Sequence, residues 1–244
     1  MTPYNSYPSQ SARTEVLSSF MRGVYGWMTL GLALTAALAL FTSSSPAMMR
    51  LLFQFNPAGQ AVGLSMAFWV LLIGEVGLVF YLSARIRHLS AGAATALFLM
   101  YSALNGVTLS MIFLAYAAAA IFKAFITAAG MFGAMSLYGT LTKKDLTSWG
   151  SFLMMGLIGL IIAMVVNMFL RSPAMDFVVS GIGVVLFMGL TAYDTQKLKT
   201  MGEMAPLDDA TALRRGTIMG ALTLYLDFVN LFLMLLRFFG GGRD

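Results

Sequence analysis

The stretch LYLDFVNLFLMLLRFFG at residues 224–240 is almost continuously apolar, but it carries one carboxylate, Asp227. A second stretch, GLTAYDTQKLK at 189–199, ends a similar apolar run and carries Asp194. Runs of about 20 apolar residues are long enough to cross a bilayer as helices. A charge at the centre of such a helix costs at least about 2.5–3.5 kcal/mol. These stretches therefore predict membrane helices that contain two acids. The cost of burying each acid must be offset by a cationic partner, by a bound proton or by a hydrated cavity.

The composition of the whole chain agrees with a membrane protein. Hydrophobic residues make up 59% of the 244 residues, charged residues make up 10%, and the mean hydropathy is +0.82. A soluble globular chain is typically about 25% charged, so an ordinary soluble domain is excluded. The absence of cysteine excludes disulfides, thiolate metal sites and cysteine nucleophiles. The net charge is +5, but the basic residues are scattered among short loops, so we expect no nucleic-acid partner.

Seven apolar segments predict an all-α integral membrane protein, a seven-transmembrane-helix bundle in the lipid bilayer. The segments are continuously apolar rather than alternating, which argues against a membrane β-barrel. All six prolines lie outside them, as expected for helix interiors. The predicted spans are 24–43, 61–84, 91–114, 118–140, 149–170, 175–196 and 216–237.

The ends of the apolar region divide the chain into two parts. Residues 1–20 are polar and contain two prolines, which predicts a disordered N-terminal tail. Residues 21–240 form the seven-helix domain. The first apolar run exceeds the 7–15 residues of a signal-peptide core and follows a long polar tail, so we expect a retained helix.

The distribution of lysine and arginine predicts the orientation, because cytoplasmic loops carry an excess of both. With the N-terminus inside and the C-terminus outside, ten basic residues lie inside and five outside. The inner set is Arg13, Arg22, Arg85, Arg87, Lys143, Lys144, Lys197, Lys199, Arg214 and Arg215. The outer set is Arg50, Lys123, Arg171, Arg237 and Arg243.

Glycine pairs inside the spans predict close packing between helices, since small residues let helix backbones approach each other. These glycines are Gly74, Gly77, Gly130, Gly133, Gly156, Gly159, Gly181 and Gly183.

Asp227 has no lysine or arginine within nine residues on its own helix, so any cationic partner must come from another helix. Its neighbours Tyr225 and Asn230 can donate hydrogen bonds. One interpretation is a neutral, hydrogen-bonded acid that locks helices together. The other is a functional acid, which is the usual role of an ionisable group inside a membrane.

Asp194 lies near the predicted cytoplasmic end of the sixth span, at the depth where the second span ends. An ion pair with Arg85 is therefore plausible, and pairing with Lys197 or Lys199 in headgroup water is the alternative. Another acid inside a span is Glu75, which has either a pairing role with Asn105 or a proton-carrying or structural role of its own.

Four motifs together resemble the Bax inhibitor-1 family, also called the TMBIM or lifeguard family, and within it the YccA-like bacterial members. The resemblance covers roughly residues 20–240. The motifs are ALNGVTLS at 103–110, AFITAAGMFGAMSLYGTLTKKDLTSWG at 124–150, GLTAYDTQKLK at 189–199 and LYLDFVNLFLMLLRFFG at 224–240.

The resemblance implies a fold in which six helices surround the C-terminal seventh, and a pH-sensitive leak of cations, chiefly calcium. It implies no cofactor other than calcium as the permeant or bound ion. The metal- and proton-binding pair maps to Asp194 and Asp227, and the arginine latch that closes the pore maps to Arg85, with Arg87 as the alternative. Glu75, Asn105 and Asn230 are the supporting polar residues that we expect around the pair. The short loops suit a bacterial inner membrane.

This pair has a chemical rationale. Calcium prefers oxygen ligands, and two carboxylates match its charge. If Asp194 and Asp227 face each other, they share a proton and titrate as a coupled pair. Loss of that proton would repel the carboxylates, freeing Asp194 for Arg85 and recruiting calcium.

Two alternative functions come from other classes. As resemblance to YccA implies, the chain could regulate a membrane-bound ATP-dependent protease. An intramembrane aspartyl protease is a remote alternative, because those enzymes carry YD on one helix but typically GxGD on the next, where this chain has YLD at 225–227. His88 is the single histidine, and the seventh span holds no lysine for a Schiff base, so we expect no metal catalysis, no retinal and no enzyme activity.

Overall fold

The fold is seen in a computed structural model that describes residues 10–205 and 209–240. The structure is 87% helical, and seven of the described helices are long and apolar enough to cross a membrane. The helices are α1 Gln10–Ser44, α2 Pro46–Leu52, α3 Met66–Arg85, α4 Ala91–Leu109, α5 Ile112–Ala115, α6 Ala118–Leu141, α7 Gly150–Leu170, α8 Pro173–Glu203 and α9 Ala210–Gly240. The strands are β1 Phe53–Phe55 and β2 Ala61–Leu64, and two 3₁₀ turns cover Ile86–His88 and Thr147–Trp149. The predicted seven-helix membrane bundle is confirmed.

The first helix begins earlier than the sequence suggested. The prediction placed a disordered tail up to residue 20, whereas α1 starts at Gln10, and residues 1–9 lie outside the described part of the chain. The physical reason is packing beyond the apolar run. Phe20 is buried, and a Cβ placed on Gly202 of α8 would lie 2.8 Å from its ring. The polar start of α1 is therefore a helix that packs against the end of α8.

The second span also begins at a different residue. The prediction started it at residue 61, but residues Ala61–Leu64 form β2, which pairs antiparallel with β1. Gly59 makes the turn between the strands with φ +77°, a conformation that favours glycine. The helix starts only after Ser65, whose hydroxyl accepts a hydrogen bond from the Phe68 amide at 3.2 Å. Apolarity alone did not reveal this cap.

The C-terminal helix α9 forms the centre of the bundle. Its most apolar stretch is 72% buried inside the protein, against 17% for α3, α6 and α7. Helices α1, α4, α6 and α8 pack directly on α9, whereas α3 packs mainly on α4 and α7 mainly on α8. The arrangement is thus a core helix with four direct neighbours and two outer helices attached through them.

Two glycines bring helices into backbone contact. A Cβ on Gly106 of α4 would lie 2.5 Å from the Thr35 carbonyl oxygen of α1, and a Cβ on Gly139 of α6 would lie 2.4 Å from the Ala192 carbonyl oxygen of α8. Most of the predicted packing glycines behave differently. Nothing lies within 4 Å of a Cβ at Gly74, Gly77, Gly130, Gly133 or Gly159, which face outward, while Gly156 and Gly183 do pack against neighbouring side chains. The pairs predicted from spacing are therefore mostly not contact sites within one chain.

Candidate functional site: acids on two faces of the central helix

Helices α8 and α9 run antiparallel in a register set by two glycines. Gly183 of α8 faces Met234, and Gly220 of α9 faces Leu198. At 1.5 Å rise per residue, this register places Asp194 about one helical turn, or ~5 Å along the axis, from the level of Asp227. The two acids are close enough for the charge of Asp194 to act on Asp227. The structure thus brings together the two acids that the sequence singled out.

Asp227 is a buried acid with an incomplete set of hydrogen bonds. Its side chain is only 6% exposed, and its Oδ2 atom has no hydrogen-bond partner among the described residues. Neither of the two predicted neighbours, Tyr225 and Asn230, donates its hydrogen bond to Asp227. The Tyr225 hydroxyl pairs with the Thr35 hydroxyl at 2.7 Å, and Asn230 donates to the Leu226 carbonyl oxygen at 2.8 Å. An unpaired buried oxygen costs free energy, so Asp227 is suited to take up a proton or a cation.

Asp194 is half-buried, and its electrostatic partner in the structure is Lys197, one turn further along α8. Lys197 also lies over the Tyr193 ring, at 5.7 Å from the centroid. Arg85 is the last residue of α3, is exposed, and forms no ion pair with Asp194. The side chain of Arg87 lies outside the described part of the chain. The latch role of either arginine stays a prediction.

A chain of three hydroxyl groups ends at Thr195, the residue that follows Asp194 in α8. Tyr25 of α1 hydrogen-bonds to Ser136 of α6, and Ser136 lies 3.2 Å from the hydroxyl of Thr195 on α8. Ser136 and Thr195 are buried. Sequence reasoning missed these three residues because single hydroxyls on three distant helices leave no local pattern. Together their hydroxyl groups link α1, α6 and α8.

An aromatic cluster packs on α9 immediately after Asp227. The Phe228 ring lies 5.6 Å from the Phe132 ring and 5.7 Å from the Phe125 ring, both of α6. Phe125 also contacts Phe232 one turn further along α9. These rings pack α6 against α9, starting one residue beyond Asp227.

The third intramembrane acid, Glu75, lies in a separate cluster with its hydrogen bonds filled. Its Oε1 accepts from the Asn105 amide and its Oε2 accepts from the Thr108 hydroxyl at 2.8 Å, so the suggested Glu75–Asn105 contact is present. Asn105 also lies within 3.5 Å of the Tyr101 hydroxyl. The Oδ1 atom of Asn105 has no partner among the described residues.

This cluster reaches α9 on the face opposite the acid pair. The Tyr101 ring packs against the Tyr225 ring at 5.8 Å. Tyr225 and Asp227 are two residues apart, which places them about 200° apart around a helix of 3.6 residues per turn. Glu75 is therefore tied to the α1–α4 side of the core helix, and Asp227 to the α8 side.

Asp194 and Asp227 are the acids that could contribute ligands to a cation. Within the described ranges, no group of three or more histidine, cysteine or acidic residues could enclose a metal ion. Calcium takes six to eight oxygen ligands, so two carboxylates supply charge while waters or nearby oxygens complete the shell.

Comparisons with known proteins agree with one another. The sequence profile described as "Inhibitor of apoptosis-promoting Bax1" matches residues 17–244. The chain is 53% identical to the "Inner membrane protein YbhL" of Escherichia coli (strain K12) over 228 residues, which are 93% of each chain. It is 42% identical over 243 residues to a protein of Caulobacter vibrioides, and 38% identical over 226 residues to a membrane protein of Streptococcus pyogenes serotype M1. The alignment with the Caulobacter protein covers 98% of this chain and 96% of that protein. The alignment with the Streptococcus protein covers 92% of this chain and 93% of that protein.

Proposed function

Because this chain belongs to the Bax inhibitor-1 family of membrane proteins, we propose that it is a pH-sensitive calcium leak in which Asp194 and Asp227 bind the ion and the proton. The observation that carries this proposal is the buried Oδ2 of Asp227, which has no partner among the described residues although a second carboxylate acts on it. A structural acid would be expected to have its hydrogen bonds filled.

The pair works as a switch between two occupants. With one shared proton, the two carboxylates attract each other and the site carries less charge. Without that proton the two carboxylates repel each other. A divalent cation neutralises them, because its two positive charges match their two negative charges. Protons and calcium therefore compete for the same oxygens, which makes conduction depend on pH without ATP or covalent chemistry.

The latch is the second element of the proposal. We place Arg85 as the cation that holds Asp194 in the closed state. Arg85 is exposed in the structure and not paired with Asp194, so closure requires the Arg85 guanidinium to move to Asp194. The Arg85→Ala variant should raise calcium leak. Lys197 is the competing cation, and a rise in Lys197→Ala without one in Arg85→Ala would assign the latch to Lys197 instead.

We also propose that the protein resides in a bacterial inner membrane with its N-terminus in the cytoplasm. The name of the Escherichia coli relative supports the compartment, and the excess of lysine and arginine at the bundle end where α1 begins supports the orientation. Reporter fusions at Gly242 test the orientation. A reporter at Gly242 that is active only in the cytoplasm contradicts it.

Reconstitution tests the function directly. Purified protein in liposomes that contain a calcium-sensitive dye should admit calcium down its gradient, at a rate that changes between pH 5 and pH 8. Empty vesicles with the same lipids are the control. A rate equal to that of empty vesicles at every pH in this range would contradict a leak.

A further inference from the structure

The fold collects four lysines around one cavity at the bundle end where α1 begins. Lys143 and Lys144 come from the loop between α6 and α7, and Lys197 and Lys199 come from the last turns of α8. The cavity is about 640 Å³ in volume. In the sequence these lysines form two separate pairs more than 50 residues apart. For that reason the sequence alone indicated only the side of the membrane on which they lie. Their convergence is visible only in the structure.

The loop that carries two of these lysines is fixed to α8. Gln196 donates from its amide to the Lys144 carbonyl oxygen at 2.8 Å, and its side-chain oxygen accepts from the Leu146 amide at 2.8 Å. The Lys144 amide donates to the Thr142 hydroxyl at 3.2 Å. The Gln196 side chain of α8 therefore holds the loop backbone at two points. This fixes the backbone from which the Lys143 and Lys144 side chains extend.

The described acids that line the cavity are fewer than its lysines. Asp145 is engaged by Thr147, whose amide donates to it at 2.9 Å and whose hydroxyl donates to the same oxygen. Glu203 is the other lining acid among the described residues. Lys197 also faces Asp194, so among the described residues four ammonium groups stand against three carboxylates and the net charge is positive. No ion pair joins Lys143 or Lys144 to an acid within the described ranges.

Two of the lysines are already engaged. Lys199 donates to the Thr140 carbonyl oxygen at 2.9 Å, and Lys197 acts on Asp194. Lys143 and Lys144 are exposed and line the cavity, and neither ammonium group donates a hydrogen bond to a residue that the structure describes. The site thus combines two lysines that are held in place with two that can close on a ligand.

We propose that this cavity binds a phosphate-bearing anion, either a free phosphate compound or the headgroup of an anionic lipid. Phosphate oxygens accept several charge-assisted hydrogen bonds at once, and lysine is a common phosphate ligand. The position at the end of the spanning helices is where lipid phosphates lie, and each basic residue near an anionic surface contributes about 1 kcal/mol. The cavity shares Lys197 with the surroundings of Asp194, but its test changes only Lys143, Lys144 and Gln196 and needs no measurement of ion flux.

The free-phosphate arm uses the full chain purified in an uncharged detergent and titrated with inorganic pyrophosphate by calorimetry. The double variant Lys143→Gln/Lys144→Gln should bind at least about tenfold more weakly, because it loses two ammonium groups. The matched variant Lys143→Arg/Lys144→Arg keeps the charge and should bind. Lys123→Gln removes one charge at the opposite end of the bundle and should bind as the wild type does.

The lipid arm uses nanodiscs of phosphatidylcholine with a minor fraction of phosphatidylglycerol. Native mass spectrometry should show phosphatidylglycerol retained by the wild type and lost from Lys143→Gln/Lys144→Gln. Retention of this lipid without pyrophosphate binding assigns the site to a lipid headgroup, and pyrophosphate binding assigns it to a free phosphate compound. Binding of neither probe to the wild type overturns the proposal.

A further variant separates a built cavity from a diffuse positive surface. Gln196→Ala keeps every charge but removes both bonds that hold the loop, so it should weaken binding of whichever probe the wild type takes. Wild-type affinity in Gln196→Ala, or an equal loss of binding in Lys123→Gln, would show that surface charge alone attracts the anion and would overturn the assignment.

Discussion

Glu75 and Asp227 are both almost fully buried near the middle of membrane helices, yet their surroundings differ. Glu75 accepts hydrogen bonds on both oxygens, from Asn105 and Thr108. Asp227 has a buried oxygen without a partner in the described chain, and the charge that acts on it is that of another carboxylate, Asp194. The comparison teaches that burial alone does not identify a functional acid. An acid whose bonds are filled by its neighbours serves packing, whereas an acid left incomplete is available to an ion.

Removal of Glu75 should have the largest effect on stability. The Glu75→Ala variant leaves Asn105 and Thr108 without their acceptor and opens a cavity, which should lower the free energy of unfolding by about 3 kcal/mol. Glu75→Gln keeps the shape and one carbonyl acceptor, so it should lose less than half as much. Denaturation by SDS titration in mixed micelles measures both. Equal losses in the two variants would show that the hydrogen bonds to the carboxylate are not what stabilises this cluster.

The hydroxyl of Tyr225 should contribute less than Glu75 does. Tyr225→Phe removes the hydrogen bond to Thr35 but keeps the ring contacts with Tyr101 and Phe98, at a cost of about 1 kcal/mol. The same SDS titration measures the loss. A cost above that of Glu75→Ala would mean that the cluster is organised around Tyr225 rather than around the acid.

Asp227→Asn should change the free energy of unfolding by less than about 1 kcal/mol, in either direction, because the replaced oxygen has no partner to lose. This near-neutral result is the counterpart of the large loss at Glu75. A loss as large as that of Glu75→Ala would indicate that Asp227 is fully bonded in the membrane and would remove the contrast between the two acids.

Replacing the exposed acid Asp145 should have the smallest effect on stability of the changes considered. Asp145 is also a third acid to compare with Glu75 and Asp227. Hydrogen bonds from the Thr147 hydroxyl and amide hold the pKa of Asp145 below its ordinary value. Stabilisation from this carboxylate is therefore present at neutral pH and is lost as the pH falls through its folded pKa. The small difference in unfolding midpoint between the wild type and Asp145→Asn should shrink as the pH is lowered from 7 to 3. A difference that is constant over this range contradicts the assignment.

The sequence predicted the fold class well because continuous apolar runs and the placement of proline are strong, local signals. It placed α1 and α3 at the wrong starting residues for a physical reason. Helix ends depend on caps such as Ser65 and on tertiary contacts such as Phe20 with Gly202, which hydropathy does not report. Spacing also failed to show which glycines lie in contacts, since that depends on which face each helix turns inward.

At the site, the sequence identified the acids but not their partners. A carboxylate in an apolar run is visible without a structure, so Asp194, Asp227 and Glu75 could be named at once. The partners of Asp227 were predicted from its own helix, but Tyr225 and Asn230 point to other acceptors. Contacts between helices distant in the chain, such as Tyr25 with Ser136 or Lys144 with Gln196, leave no signature in one sequence.

The most direct test of the central claim is calcium flux into dye-loaded liposomes from pH 5 to pH 8, compared among the wild type, Asp227→Asn and Glu75→Gln. Each variant replaces one buried carboxylate with its amide at nearly constant volume. If Asp227 is the ion and proton site and Glu75 is a packing acid, Asp227→Asn should lose the pH dependence of flux while Glu75→Gln keeps it. A wild-type pH profile in Asp227→Asn, or loss of the profile in Glu75→Gln alone, would contradict the account.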